Sequence, residues 1–189
     1  MSEQGMTANS SSMAFAWGRF TEAMQESYRL NTPLHQLMGE VGLHYDFMDF
    51  MRNGASTYSA LSEKALNSVD TVLAIERVLK ENPYNQVVRD RLLPILEPVE
   101  RPIYEMLVQA LGLNTVQVSF AEYCKDSNTY LQKFISKAQE SPKSKRQMGN
   151  ILQQVMTTHS RSKAMYDRLK QIYDNLQNYF FYNTTYPRC

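Results

Sequence analysis

The sequence predicts an all-α fold, an elongated antiparallel bundle of three to five long helices with a proline-rich corner. Only 7 glycines and 7 prolines occur among 189 residues, so long stretches contain no helix breaker. Large apolar residues recur every three or four positions over most of the chain. A hydrophobic content of 43% with 21% charged residues is typical of a globular chain, and we expect one domain over residues 12–182.

The first predicted element is a short amphipathic helix over residues 13–28, preceded by a polar, flexible tail over residues 1–11. Four large apolar residues support this helix at intervals of four, three and four positions: Met13, Trp17, Phe20 and Met24. Such intervals place all four side chains along one face of a helix.

A heptad-like seam of apolar residues predicts one long helix over residues 33–81. Pro33 suits the first turn of this helix, with Asn31 or Thr32 as its cap. The Asn-Gly pair at 53–54 could divide it into two helices. Because the apolar spacing keeps its phase across the glycine, we expect a single element of roughly 70 Å.

Three prolines spaced four residues apart, Pro94, Pro98 and Pro102, predict the corner. A proline inside a helix lacks its N–H and clashes with the carbonyl four residues earlier. We therefore expect residues 93–101 to be extended or a series of turns. The spacing does not match the three-residue period of polyproline II, so the run does not resemble an SH3 ligand.

Three helices and a C-terminal tail are expected after the corner, over residues 102–112, 115–140, 142–182 and, for the tail, 183–189. Gly112 is a typical helix terminator. The Ser-Pro pair at 141–142 is typical of a cap followed by a first-turn proline.

The net charge of +1 conceals an asymmetry. Residues 1–100 carry 8 Lys and Arg against 13 Asp and Glu, whereas residues 101–189 carry 12 against 6. The two halves could neutralise each other within one bundle, or attract a neighbouring copy. Five residues of the basic region 133–170 are candidates for binding an anionic surface: Lys143, Lys145, Arg146, Arg161 and Lys163. The first three lie at the predicted turn between the last two helices, the basic hairpin tip. Nucleic acid is the weakest partner class, because the pI is only 7.7 and no aromatic residue is interleaved within the basic cluster.

Catalytic signatures such as glycine-rich phosphate loops, GxSxG, CxxC and HExxH are absent from the sequence. Glu40, His44, Asp46 and Asp49 lie close together, but the Glu-x-x-His pattern of helical di-metal sites does not occur. We expect no enzyme activity, no cofactor and no metal.

Cys124 lies on an apolar stripe and is expected to be a buried thiol, and Cys189 is the last residue. This is not a disulfide framework, which favours a reducing, intracellular compartment. We find neither a signal-peptide pattern nor an apolar run of about 18 residues, so we expect no transmembrane segment.

We expect a non-enzymatic structural or adaptor protein that assembles with copies of itself or with other chains. The apolar stripes are wide, and aromatic residues continue into both ends of the chain. The candidate partner contacts are Trp17, Phe20, Tyr179, Phe180, Phe181 and Tyr186.

In outline, the long seam-forming helices and the basic tip over residues 34–182 resemble BAR-type membrane-curving dimers. The resemblance implies homodimerisation and a basic surface that faces lipid, which gives peripheral membrane binding as the alternative function. The proline run departs from the smoother helices of that family. The sequence alone leaves the identity of the partner and the oligomeric state open.

Overall fold

The computed structural model describes the backbone of residues 4–158 and 161–184, and the side chains of residues 11–158 and 161–178. This part of the chain is helical and contains no strand, so the predicted all-α class is confirmed. Its helices are α1 (Gln4–Glu40), α2 (Phe47–Arg52), α3 (Gly54–Asn67), α4 (Val69–Glu81), α5 (Gln86–Leu111), α6 (Phe120–Tyr123), α7 (Ser127–Ala138), α8 (Pro142–Thr158) and α9 (Lys163–Thr184).

The central helix is α5, which packs against α1, α3, α4, α6, α7, α8 and α9. Its buried residues recur every three or four positions, as in Leu92, Leu96, Val99, Ile103 and Leu107. One apolar core receives side chains from each of the described helices. Burial against this core, rather than helix propensity alone, stabilises the short elements.

The predicted proline corner is wrong, because Pro94, Pro98 and Pro102 lie inside α5. Pro94 and Pro98 are exposed and Pro102 is half-buried. A proline has no N–H to donate to the carbonyl four residues earlier. Because the prolines are four residues apart, the carbonyls of Pro94 and Pro98 are the ones that lose this hydrogen bond, to Pro98 and Pro102. These carbonyls lie on the solvent side, where water can hydrate them. The helix continues because its opposite face is buried in the core.

The chain also remains helical through Pro33, where a helix start was predicted. Asn31 and Thr32 do not cap; their side chains donate to backbone carbonyls four residues earlier, at 2.9 and 2.6 Å. The Asn85 side chain donates to the carbonyl of Leu30 at 2.9 Å, close to the proline. This contact from the bundle supports the helix where the proline weakens it.

The single helix expected over residues 33–81 consists of the end of α1 and three further helices. Gly42 follows the end of α1 with a φ of 84°. The side chains of Asp46 and Ser68 accept from backbone N–H groups and cap α2 and α4. The apolar spacing persists across these breaks because every piece packs on the same core. The roughly 70 Å element on which the BAR-like outline depended is therefore absent.

Later helix boundaries also differ from those predicted. The range 115–140 contains α6 and α7, and the range 142–182 contains α8 and most of α9. Ser119 and Ser162 supply the side-chain caps at these unpredicted starts, accepting from the N–H groups of residues 122 and 165. A serine within an amphipathic pattern can lie on the polar face of a continuous helix or cap a new one. The sequence alone therefore did not predict these two helix starts.

Two predicted ends are confirmed. Gly112 follows α5 in the left-handed region, with a φ of 62°, and its N–H bonds to the Val108 carbonyl. Ser141 caps α8 by accepting from the N–H of Ser144 at 3.0 Å. The expected tails are shorter than predicted, because α1 already begins at residue 4 and α9 extends to residue 184.

Candidate functional site

The N-terminal part of α1 is an exposed helical segment, residues 11–26, which we call the α1 arm. Every side chain of the arm is exposed to solvent. Six large apolar residues of α1 are between 55 and 72% exposed: Met13, Phe15, Trp17, Phe20, Met24 and Tyr28. Phe15 lies on the opposite side of the helix from the other five, which share one face. Monomeric proteins rarely expose a contiguous apolar surface of this kind, which typically marks an interaction site.

The exposed stripe continues the face with which α1 packs on the bundle. Two rows of positions recur at seven-residue intervals: one contains Met13, Phe20, Ser27 and Leu34, and the other contains Trp17, Met24, Asn31 and Met38. The rows are apolar in the arm and in the bundle, and Ser27 and Asn31 interrupt them between the two. Leu34 and Met38 are fully buried in the core. One heptad seam is therefore covered at its C-terminal end and uncovered along the arm.

The charged residues near the arm are balanced. Arg29 and Glu26 form a salt bridge at 2.5 Å, and the guanidinium of Arg19 lies 5.8 Å from the centre of the Phe15 ring. The α1 arm contains no lysine, and its only other charged residue is Glu22. The arm thus lacks the basic face that usually attracts interfacial helices to anionic lipid.

Of the predicted partner contacts, Trp17 and Phe20 lie in the arm, with ring centres 5.6 Å apart. The backbone of Tyr179, Phe180 and Phe181 belongs to α9, but their side chains lie outside the described residues. Tyr186 lies outside them entirely. Only two of the six predicted contact side chains, those of Trp17 and Phe20, can therefore be placed.

The five predicted basic residues lie in two groups. Lys143, Lys145 and Arg146 lie at the start of α8, whereas Arg161 and Lys163 lie between its end and the first turn of α9. The 17 residues of α8 separate the two groups by roughly 25 Å. Lys163 also forms a salt bridge with Asp167. The candidates for an anionic surface therefore lie at opposite ends of α8.

A buried charged cluster, which the sequence did not reveal, joins five elements of the bundle. The Arg168 guanidinium on α9 donates to the carboxyl groups of Glu100 on α5 and Glu76 on α4. The Tyr123 hydroxyl donates to Glu100 at 2.5 Å. Ser127 donates to Glu76 at 2.6 Å and accepts from Arg168 at 2.5 Å.

The cluster contains two carboxyl groups and one guanidinium in an almost dry site. Burial, and then the neighbouring Glu100 carboxyl, raises the pKa of Glu76 to about 8. Burial likewise raises the pKa of the Tyr123 hydroxyl well above its usual range. A proton on Glu76 at neutral pH reduces the negative charge that is buried beside the Arg168 guanidinium.

A signal for this cluster existed in the sequence. Glu76 follows Val72 and Ile75 at helical spacing, and Glu100 and Arg168 also fall on apolar stripes. A charged residue on a buried face is rarely tolerated without a partner. The three partners, however, are separated by 24 and 68 positions, so their pairing required the tertiary structure.

Other cysteine, histidine and acidic side chains make contacts within the bundle. Cys124 is fully buried, as predicted, and burial raises the pKa of its thiol. The His35 ring contacts the Tyr45 carbonyl through Nε2 at 2.6 Å, and Glu40 pairs with Arg77. Among the described residues, no group of three or more His, Cys, Asp or Glu side chains could hold a metal ion.

None of the helices in the described ranges combines the length and the apolar character that a membrane crossing requires. No family model, no curated protein and no solved structure matches this chain.

Proposed function

We propose that this chain is a non-enzymatic assembly protein that dimerises through the α1 arm. The observation that carries the proposal is the heptad seam of α1, buried at Leu34 and Met38 but exposed at Trp17 and Phe20. An apolar seam on a projecting helix is stabilised when another helix covers it.

A second copy of the chain is the occupant that the arm fits best. The stripe Met13, Trp17, Phe20, Met24 has intervals of four, three and four, so it has the same order of residue classes in both directions. An antiparallel pair about a two-fold axis places Met13 opposite the partner copy's Met24 position, and Trp17 opposite its Phe20 position. Such self-complementarity is what an isologous dimer interface requires.

Residues that flank the stripe are compatible with this pairing. The positions beside the seam are occupied by Ala14, Ala16, Thr21 and Ala23, which are small and uncharged. Small flanking residues let two helices approach closely, and no like charges are brought together. The nearest acid–base pair, Glu26 and Arg29, is already satisfied within each helix.

The geometry and the energetics are both favourable. The arm covers 16 residues, so the paired segment is roughly 24 Å long, and an antiparallel arrangement keeps the two bundles at opposite ends. Burial of a large apolar side chain contributes about 1.5–3 kcal/mol. The eight such side chains of a pair would contribute about 12–24 kcal/mol if fully buried, which is of the same order as the roughly 4–15 kcal/mol that association costs.

Light scattering coupled to size-exclusion chromatography tests the proposal. We expect the wild-type chain to be a dimer and the double variant Trp17→Ala, Phe20→Ala to be a monomer with unchanged helical circular dichroism. Phe15→Ala is the matched control, because Phe15 is 68% exposed on the same arm but about 200° away from its stripe neighbours. A wild-type chain that is monomeric at about 100 µM, well above a micromolar Kd, would contradict the proposal. Loss of the dimer in Phe15→Ala as complete as in the double variant would also contradict it.

Cysteine cross-linking tests the orientation. We expect a disulfide only when Met13→Cys and Met24→Cys variants are mixed, one of them tagged, in a Cys189→Ser background. In the antiparallel pair, identical positions are eleven residues apart, or roughly 16 Å, too far for a disulfide. Cross-links within either variant alone would instead indicate a parallel pair.

A further inference from the structure

A second feature, independent of the α1 arm, is a groove between the start of α8 and the C-terminal half of α9. Its volume is about 310 Å³, at the lower end of the range for small-molecule sites. It is lined by Pro142, Lys145, Arg146, Gly149, Asn150, Tyr173 and Gln177.

The lining consists of two facing rows. Arg146 and Asn150 are four residues apart on α8, and Tyr173 and Gln177 are four residues apart on α9, so each pair shares a helix face. Gly149 lies between the rows, where an added Cβ would be 3.8 Å from the Tyr173 ring. A larger residue at position 149 would therefore fill part of the groove.

Among the described residues of the lining, all the charged groups are positive. Lys145 and Arg146 supply two cations, Asn150 and Gln177 supply amide donors, and none of these described lining residues is Asp or Glu. The Tyr173 hydroxyl accepts from Gln153 at 3.0 Å, which leaves its own proton for another acceptor. Donors and positive charge thus converge on one small space.

Arg146 differs in its pairing from several arginines of the bundle. Arg29, Arg77 and Arg101 each form a salt bridge with a carboxylate. Within the described ranges, no Asp or Glu forms a salt bridge with Arg146. A guanidinium without a carboxylate partner, beside amide donors, has the donor geometry that binds phosphate oxygens bidentately.

We propose that this groove binds a phosphomonoester group, carried by a soluble metabolite or by a lipid headgroup. Arg146 contacts two phosphate oxygens, Lys145 contributes a point charge, and the amides of Asn150 and Gln177 complete the hydrogen bonds. A volume of about 310 Å³ is large enough for one phosphate-bearing headgroup.

Isothermal titration of the full chain with inorganic phosphate, at about 150 mM salt to screen diffuse attraction, tests the site. We expect Arg146→Gln to weaken binding about tenfold, since a charge-assisted bidentate contact is lost. Lys143→Gln is the matched control, because it removes the same charge from the same helical turn but does not line the groove; we expect a change of less than about twofold.

Vesicles distinguish the two sources of the phosphate group. Binding to phosphatidylcholine vesicles that contain phosphatidic acid, but not to those with phosphatidylglycerol, supports a lipid ligand if Arg146→Gln abolishes it. Phosphate binding without vesicle binding supports a soluble ligand. The proposal is overturned if neither probe binds, or if Lys143→Gln weakens binding as much as Arg146→Gln does.

Discussion

Arg168 on α9 and Glu100 on α5 form an ion pair that is almost completely removed from water, with 6% and 0% of the two side chains exposed. The pair also holds Glu76, Tyr123 and Ser127 in one hydrogen-bonded cluster. It is one place where the acidic first half of the chain meets the basic second half. Buried charges of this kind are costly to separate because each partner would remain unpaired in an apolar environment.

Removal of the cation should destabilise the bundle strongly. We expect Arg168→Met to lower the free energy of unfolding by about 3–5 kcal/mol, because two carboxyl groups lose their buried partner. Urea denaturation followed by circular dichroism measures this change. The exposed pair of Lys163 and Asp167 provides the control: Lys163→Met should cost less than about 1 kcal/mol. If both variants lower the free energy of unfolding by a similarly small amount, the cluster is hydrated in solution.

Stability should also depend on pH through Glu76. Its pKa is raised from 4.5 to about 8 in the folded chain, so the folded state holds a proton that the unfolded state releases. The contribution is complete below pH 4.5 and is lost as the pH rises towards 8, with a slope of at most about 1.4 kcal/mol per pH unit.

The variant Glu76→Gln isolates this effect, because the amide keeps an acceptor for Ser127 and cannot ionise. We expect urea denaturation at several pH values to show a smaller loss of stability between pH 5 and about 8 in the variant than in the wild type. The groups that face Glu76, namely Glu100, Arg168 and Tyr123, are unchanged in both proteins. Identical pH profiles would exclude a proton on Glu76.

The prolines of α5 give a third prediction. Pro98→Ala restores an N–H that can bond to the Pro94 carbonyl within a continuous helix. We expect the free energy of unfolding to rise by about 1–2 kcal/mol, since the gain of up to about 3 kcal/mol in a helix interior is reduced by the more flexible unfolded chain. A stability loss would instead indicate that the proline fixes a bend on which the core packing depends.

Several features followed from local chemistry alone. The all-α class followed from apolar spacing and the scarcity of breakers, because a helix repeats every 3.6 residues whatever it packs against. Gly112 and Ser141 marked true helix ends, since left-handed backbone and side-chain capping depend on a few adjacent residues. The amphipathic stripe of the arm was likewise visible from Trp17 and Phe20.

Other features depended on contacts between distant residues. The sequence could not show that α5 passes through three prolines, because this requires its opposite face to be buried by seven other helices. It could not show that the stripe is exposed at Trp17 and buried at Met38, since the same pattern suits both. The pairing of Arg168 with Glu76 and Glu100 depended on bringing separate helices together. Spacing along the chain determined which faces are apolar, and only the tertiary structure decided which of them are covered.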